Sequence, residues 1–278
     1  MNNPSRPKVA VVTHCEKKFQ ESFGMHRMVK TLKHFNPDYD LHIYNEDDLN
    51  RIYAEYPGFN LWSIMPITMK EVWEKTGADI ILHIDADSLV LDSLKEIEQG
   101  GYDVFGVRND ASDIGNRDES MNRPPQIRDI PNHKYLNAGF IALRNRKFVD
   151  NWIKANQSVI ETFGDIRNFP IAEQGTYNCL TYMTNYRVKI LDPLGGDQFW
   201  GAAANYLDGS GYCPAHIQAA YGYNKWESWH SIEKTGSKFN LGNRQVKVLH
   251  FAGGGSSKPG LEVFNDKTRR KIQDILDK

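Results

Sequence analysis

The feature that most constrains this chain is an apolar run that ends in two carboxylates. Residues 79–84 are rich in isoleucine and leucine, as is typical of a buried β-strand, and Asp85 and Asp87 follow with Ala86 between them. Because strand side chains alternate between faces, the sequence predicts that both carboxylates point the same way. Two aspartates at a strand end suit Mg²⁺ or Mn²⁺. The alternative is a solvated loop with two chance carboxylates.

Composition narrows the class of protein. The 278 residues are enough for one large domain, and the net charge of −1 argues against nucleic acid as a partner. The polar start, residues 1–8, is unlike a signal peptide, and we expect no membrane span. The three cysteines, Cys15, Cys179 and Cys213, fit neither a disulfide framework nor a zinc cluster. We therefore expect a cytoplasmic protein.

The order of elements predicts the fold class. Strands are predicted at residues 9–14, 41–44, 103–107, 140–143, 187–191 and 246–251, and helices at 21–35, 64–75, 146–163 and from 261 onward. Residues 108–134 show no period and are predicted to form a long loop. Alternating strands and helices indicate an α/β fold with a mostly parallel sheet and a ligand site at the carboxyl ends of its strands. The glycine signatures of dinucleotide-binding and P-loop proteins do not follow the first strand.

Four blocks in this order resemble nucleotide-sugar-dependent glycosyltransferases of the GT-A fold. The chain looks most like retaining transferases of glycosyltransferase family 8, which includes glycogenin-like enzymes and bacterial galactosyltransferases, and of family 34. The similarity runs from about residue 9 to residue 259. The blocks are Asp85-Ala86-Asp87, Tyr135-Leu136-Asn137-Ala138-Gly139-Phe140-Ile141, Glu173-Gln174-Gly175 and His250-Phe251-Ala252-Gly253.

The resemblance implies both a fold and a reaction. It implies a Rossmann-like GT-A domain over residues 1–278, with a nucleotide-binding half at 1–110, a sugar- and acceptor-binding half at 111–260 and a C-terminal helix at 261–278. The implied reaction moves a hexose or pentose from a UDP-sugar to a hydroxyl of a glycan or other acceptor, with retention of configuration. The implied cofactor is Mn²⁺ or Mg²⁺.

The resemblance also assigns metal ligands. Asp87 is expected to bind the metal directly, and Asp85 to share the metal and reach the ribose. His250 is expected to add a neutral imidazole nitrogen, which is a suitable ligand for Mn²⁺. The alternative for His250 is a hydrogen-bonded histidine at a strand end.

Other residues are expected to bind the sugar nucleotide. Asn137 and Ala138 lie in the block that meets the donor sugar, and Gly139 allows a close approach of ligand or backbone. Thr13 and His14 loosely match the base-binding segment. Lys70 is similar to a basic residue that meets the diphosphate, although an exposed helix lysine is the alternative. Gly253 and Lys258, in a glycine-rich turn, are candidates for the leaving diphosphate, against a surface loop without a ligand.

The resemblance places Glu173 and Gln174 at the reacting carbon. A neutral amide is a poor nucleophile, but the carbonyl dipole of Gln174 can support an oxocarbenium-like centre. Glu173 could bind sugar hydroxyls. We favour a front-face route, in which the leaving phosphate deprotonates the acceptor hydroxyl. The alternative for Glu173 is an acidic residue in the first turn of a helix.

Two other functions compete with glycosyl transfer. A nucleotidyltransferase or pyrophosphorylase needs a glycine-rich, basic loop after its first strand, and residues 13–23 contain lysines but no glycine. A non-catalytic module that binds glycans or nucleotide sugars would keep the fold without the reaction. The tryptophans and tyrosines at residues 200–229 form a candidate acceptor platform, with ordinary core packing as the alternative.

Overall fold

The structure is a computed structural model of the chain. It describes residues 6–15, 23–108, 130, 134–169, 172–191, 198–201, 232–236, 238–241, 244–250 and 266–278. The candidates Gly253 and Lys258 lie outside the described residues, as do most of the long segment at 108–134 and most of the aromatic segment at 200–229.

A six-stranded, mostly parallel sheet forms the centre of the described fold. Its spatial order is β2-β1-β3-β6-β5-β7, and only β6 runs antiparallel to its neighbours. This confirms the predicted α/β class. The division at residues 110 and 260 stays a prediction. The strands are β1 (Val9–His14), β2 (Asp40–Tyr44), β3 (Ile80–Ile84), β5 (Val104–Arg108), β6 (Leu136–Leu143) and β7 (Val188–Leu191).

Helices cover both faces of this sheet. On one face, α1 contributes Met28 and Leu32 to an apolar cluster, and on the other face α3, α4 and α5 contribute Met69, Trp152 and Tyr177. Among the described residues, no helix is both long enough and apolar enough to cross a membrane. The helices are α1 (Phe23–Phe35), α2 (Glu46–Glu55), α3 (Met65–Thr76), α4 (Arg146–Phe163), α5 (Ala172–Met183) and α6 (Asp266–Leu276).

Local signals explain where several helices begin and end. The α4 helix has its predicted bounds, and Gly77 ends α3 in the left-handed conformation, at φ 61°, that a glycine adopts without strain. The sequence prediction missed α2, although Asn45 and Asp48 form a capping box there. It also missed α5 as a helix, except in the alternative that placed Glu173 in a helical first turn.

A second sheet, absent from the sequence prediction, carries the end of the apolar run. Its order is β4-β11-β10-β9, and β8 also pairs with β11. The alternation argument for Asp85 and Asp87 was wrong, because β3 ends at Ile84 and the two aspartates lie in the turn that leads into β4. The strands are β4 (Ser88–Val90), β8 (Gln198–Gly201), β9 (Ile232–Thr235), β10 (Lys238–Leu241) and β11 (Arg244–His250).

A buried lysine attaches β11 to the segment that follows β4. Lys247 is only 5% exposed, and its Nζ lies 2.8 Å from Asp92 Oδ2, 2.9 Å from Glu96 Oε1 and 2.9 Å from the carbonyl oxygen of Ser93. In addition, Leu91 N–H donates to the Lys247 carbonyl at 2.8 Å. The side chain and main chain of Lys247 therefore both fix the strand that ends at His250.

Replacing this lysine tests how much the attachment contributes. We expect Lys247→Ala to lower the free energy of unfolding by about 3 kcal/mol, because the Asp92 and Glu96 carboxylates would lose a shared buried cation. The matched control is Lys271→Ala, since Lys271 pairs with Asp274 at 3.6 Å on the exposed side of α6. In urea denaturation, Lys271→Ala should change the free energy of unfolding by less than about 0.5 kcal/mol. Equal losses in the two variants would contradict a structural role for Lys247.

Candidate functional site

Asp85, Asp87 and His250 converge at the carboxyl end of β3. The antiparallel register of β4 and β11 sets His250 opposite Ser88, next to the aspartate turn. His250 Nε2 lies 3.0 Å from Asp85 Oδ2 and 3.2 Å from Asp87 Oδ1. One possible ligand atom from each of the three residues lies within 4.8 Å of the other two. The structure thus brings together the three predicted metal ligands.

Gly139 supplies the space for this cluster. A Cβ atom built on Gly139 would lie 2.6 Å from Asp85 Oδ2 and 2.6 Å from His250 Nδ1, closer than real contacts allow. The backbone of β6 also contacts the cluster directly, because Asp85 N–H donates to the Gly139 carbonyl at 2.9 Å. Only a residue without a side chain fits between β6 and the side chains of Asp85 and His250 at this point.

A buried histidine that the sequence analysis missed orients Asp85. His83 is fully buried, and its Nε2 lies 2.9 Å from Asp85 Oδ1, the oxygen that does not face His250. A carboxylate can only accept, so the imidazole donates through Nε2. The His14 ring lies 5.3 Å from the His83 ring, and burial, helped by His83, lowers the pKa of His14 to about 4. The signal was a polar residue inside the isoleucine-rich strand.

The charges of the cluster suit a cation. Burial by itself lowers the pKa of His250, but the Asp87 and Asp85 carboxylates outweigh it and raise the pKa to about 10. For Asp85, burial is outweighed by the His250 and His83 imidazoles, which hold its pKa well below the usual range. His250 Nε2 forms a hydrogen bond of good geometry to neither carboxylate, although it lies close to both. Two carboxylates and one imidazole are ligands that fit a divalent cation.

Side-chain amides of α5 hold the part of β6 that extends beyond β3. Gln174 Oε1 accepts from Ala138 N–H at 2.9 Å. Asn178 accepts from Leu136 N–H through Oδ1 at 2.6 Å and donates to the Leu136 carbonyl through Nδ2 at 2.8 Å. Because Gln174 and Asn178 are four residues apart on one helix face, they pair with alternate residues of the strand. The amides thereby replace a neighbouring strand.

Glu173 is a partly buried acid that lies near Asp85. Its Oε2 is buried without a hydrogen-bond partner. Burial raises the pKa of Glu173 well above the usual range, and the nearby Asp85 carboxylate raises it further. The preceding Ala172 has a φ of 47°, which is strained for a residue with a side chain. Glu173 does lie in the first turn of a helix, but the burial of its carboxyl favours the neutral acid over the carboxylate.

Three other residues that the sequence analysis assigned to the donor site have different surroundings. Asn137 Oδ1 accepts from Gly139 N–H at 2.8 Å, so its side chain shapes the strand next to Asp85 and His250. Thr13 is fully buried at the end of β1, and its Oγ1 has no hydrogen-bond partner. Lys70 is half-exposed on α3 and pairs with Asp150 at 2.8 Å. The structure therefore pairs Lys70 with α4 and not with the aspartate turn.

Comparisons with known proteins support the fold. No protein-family model and no curated protein matches the chain. The solved structures that resemble it include three glycosyltransferases. Apo-form GlyE, a glycosyltransferase of Streptococcus pneumoniae, has a TM-score of 0.55 at 14% identity over 97% of this chain and 60% of its own. The galactosyltransferase LgtC, solved with donor and acceptor sugar analogues, has a TM-score of 0.52 at 15% identity. The match covers 96% of this chain and 95% of the LgtC chain. The bifunctional glycosyltransferase WbbM has a TM-score of 0.52 at 13% identity. The match covers 99% of this chain and 50% of the WbbM chain.

The chain has the GT-A fold of glycosyltransferases. It spans about 60% of GlyE and half of WbbM, but nearly all of LgtC. At these identities the likeness concerns the fold. Within this GT-A fold, the Asp85, Asp87 and His250 cluster lies at the carboxyl ends of the parallel strands, where ligands of open α/β sheets bind.

We expect Gly139→Ala to weaken divalent-cation binding by about 10- to 100-fold, because the added methyl group must displace His250 or Asp85. The measurement is calorimetric titration with Mn²⁺. The matched control is Gly100→Ala, since a Cβ atom there would meet nothing within 4 Å. Unchanged Mn²⁺ affinity in folded Gly139→Ala would contradict this arrangement of ligands.

We expect Glu173→Gln to change how stability depends on pH. With its pKa raised in the folded state, Glu173 keeps a proton that the unfolded chain releases above about pH 4.5. The free energy of unfolding of the wild type therefore falls as the pH rises from about 4.5 towards the pKa of Glu173 in the folded state. The fall is up to about 1.4 kcal/mol per pH unit, and Glu173→Gln lacks it. Urea denaturation in EDTA at pH 5 and pH 7 checks it. If the free energies of unfolding of wild type and Glu173→Gln differed by the same amount at pH 5 and pH 7, a raised pKa of Glu173 would be contradicted.

Proposed function

We propose that this protein is a metal-dependent glycosyltransferase that moves a hexose or pentose from a UDP-sugar to an acceptor hydroxyl with retention of configuration. The observation that carries the proposal is the convergence of Asp85, Asp87 and His250 at the carboxyl edge of a GT-A sheet. The low-identity likeness to three glycosyltransferases supports it through the fold.

The three convergent side chains would hold Mn²⁺ or Mg²⁺. The cation supplies positive charge that stabilises the diphosphate as it leaves the sugar. Asp85 is fixed by His83 on one oxygen, so its other oxygen is free to face the cation together with His250. Binding would displace the proton that the two carboxylates stabilise on His250, which makes the affinity dependent on pH.

Glu173 and Gln174 support a front-face route without a protein nucleophile. A protonated Glu173 can donate a hydrogen bond to a sugar hydroxyl, and its raised pKa keeps negative charge away from the leaving diphosphate. The carbonyl of Gln174 accepts from Ala138, so its dipole is fixed beside β6. We propose that this fixed dipole faces the developing positive charge of the sugar ring while the leaving phosphate takes the acceptor proton.

The other assignments complete the donor site as proposals. Asn137, Ala138 and Gly139 would line the donor sugar, and Thr13 and His14 would meet the base. Lys70 would have to exchange Asp150 for the diphosphate, and Gly253 and Lys258 would also bind that diphosphate. A cytoplasmic location belongs to the same proposal.

The test is release of UDP from UDP-glucose, UDP-galactose, UDP-N-acetylglucosamine and UDP-xylose, with Mn²⁺ or with EDTA. We expect release from at least one donor in Mn²⁺ alone, and a loss of about 100-fold or more in Asp87→Ala, because the cation would lose a ligand. The control is Asp274→Ala, which removes an exposed carboxylate of α6 and should behave as wild type.

Other outcomes would favour the competing functions. Tight, metal-dependent UDP binding without release from any donor would favour a non-catalytic nucleotide-sugar-binding module. Release of pyrophosphate from UTP and a sugar 1-phosphate would favour a nucleotidyltransferase. Release of UDP that EDTA and Asp87→Ala leave unchanged would contradict the metal-dependent mechanism.

A further inference from the structure

The His83 imidazole, which contacts Asp85, is enclosed by the central sheet and the helices on it. In β3 the residue lies between two strands, opposite Val12 of β1 and Ile141 of β6. Its side chain is only 1% exposed. The tilted His14 ring packs beside it, with 5.3 Å between the ring centroids. Because protein interiors are close-packed, a ring enclosed in this way keeps one orientation.

The fold holds Asp85 by its backbone and by its side chain. Its N–H donates to the Gly139 carbonyl at 2.9 Å, and its carbonyl accepts from Ser88 N–H at 3.1 Å. Its Oδ1 lies 2.9 Å from His83 Nε2, which donates to it. With the backbone and one carboxylate oxygen fixed, the carboxyl group cannot rotate about its Cβ–Cγ bond unless the hydrogen bond to His83 breaks.

The two carboxylate oxygens of Asp85 face different partners. Oδ2 lies 3.0 Å from His250 Nε2, within the cluster of possible metal ligands. Oδ1 faces His83, which lies outside that three-residue cluster. A hydrogen bond to an ionised acceptor is stronger than one between neutral groups, so Oδ1 stays with His83. Asp85 therefore directs one oxygen, Oδ2, towards the place of a cation.

A single oxygen from Asp85 does not suit all divalent cations equally. Ca²⁺ takes about six to eight oxygen ligands in flexible geometry, and carboxylates often bind it through both oxygens. Mg²⁺ and Mn²⁺ take about six ligands in an octahedral arrangement, to which a carboxylate can contribute one oxygen. A carboxyl group that is held to one oxygen thus deprives Ca²⁺ of a ligand that the smaller cations do not need.

We infer that His83 is a positioning residue that sets the choice of cation, because it holds Asp85 to one oxygen and so favours Mn²⁺ or Mg²⁺ over Ca²⁺. This inference rests on the metal site of the proposed function. His83 acts through Asp85 and is not itself a ligand. Without the His83 N–H, the Asp85 carboxyl can turn and present both oxygens, which compensates Ca²⁺ for the lost hydrogen bond but does not compensate Mn²⁺.

The affinities of the whole chain for two cations test this role. Mn²⁺ binding is measured from the loss of the electron paramagnetic resonance signal of the free ion, and Ca²⁺ binding from competition with Mn²⁺, both with and without UDP. His83→Phe keeps a buried ring but removes the donor. We expect this variant to raise the Kd for Mn²⁺ about 10- to 100-fold and the Kd for Ca²⁺ less than about threefold. The preference for Mn²⁺ over Ca²⁺ should therefore fall.

Two further variants separate positioning from packing. His83→Gln places an amide N–H near the position of Nε2, so the ratio of the two Kd values should stay within about threefold of wild type. The matched control is His42→Phe on the edge strand β2, where His42 Nε2 lies 3.1 Å from Asp40 Oδ2, a histidine and an aspartate at the same two-residue spacing. This control should change neither Kd. If His83→Phe does not fold, His83→Leu replaces it in the comparison.

Two results would overturn the role of His83. One is a loss of affinity by the same factor for Mn²⁺ and Ca²⁺ when the donor is removed, as a merely structural residue would give. The other is a wild type that binds no Mn²⁺, with or without UDP. The proposed function is decided separately: if the wild type binds Mn²⁺ but releases no UDP from any donor, glycosyl transfer fails, whereas the Kd ratios still decide the role of His83.

Discussion

The pairing of β4 with β11 is the interaction on which the candidate site depends. It connects the end of the apolar run to a strand far away in the chain, in a register that sets His250 opposite Ser88. A shift by one residue would turn the histidine to the other face of the sheet. The buried ammonium of Lys247, bound to Asp92 and Glu96, resists such a shift because it allows few positions of β11.

Buried polar groups organise the rest of the site. The amides of Gln174 and Asn178 satisfy the free edge of β6, so the strand can extend past β3 and bring Gly139 against Asp85. Because unpaired amides are costly inside a protein, these bonds fix α5, and with it Glu173, to the strand beside Asp85 and His250. The Thr176 and Asn156 side chains extend this connection to Ser63, in the loop that precedes α3.

Particular residues show why some predictions held. The helix at α4 was predicted with its bounds because a 3.6-residue apolar period and an asparagine cap act locally. The α5 helix was missed because many of its buried residues are polar, among them Gln174, Thr176 and Asn178, whose side chains bond to groups of other elements. The convergence of Asp85 and Asp87 was expected from strand alternation, but it comes from a turn between two sheets. Lys70 pairs with Asp150, a contact that no local pattern contains.

By itself, the sequence determined the α/β class, the mostly parallel sheet and the residue types of the candidate metal site, because hydrophobic periodicity and the chemistry of carboxylate and imidazole ligands are properties of short segments. Only the tertiary structure decided the second sheet, the burial that raises the pKa of Glu173 and the contact between His83 and Asp85. These features depend on which distant segments exclude water from each other. Desolvation and strand register are set by packing, so they appear only once the chain is folded.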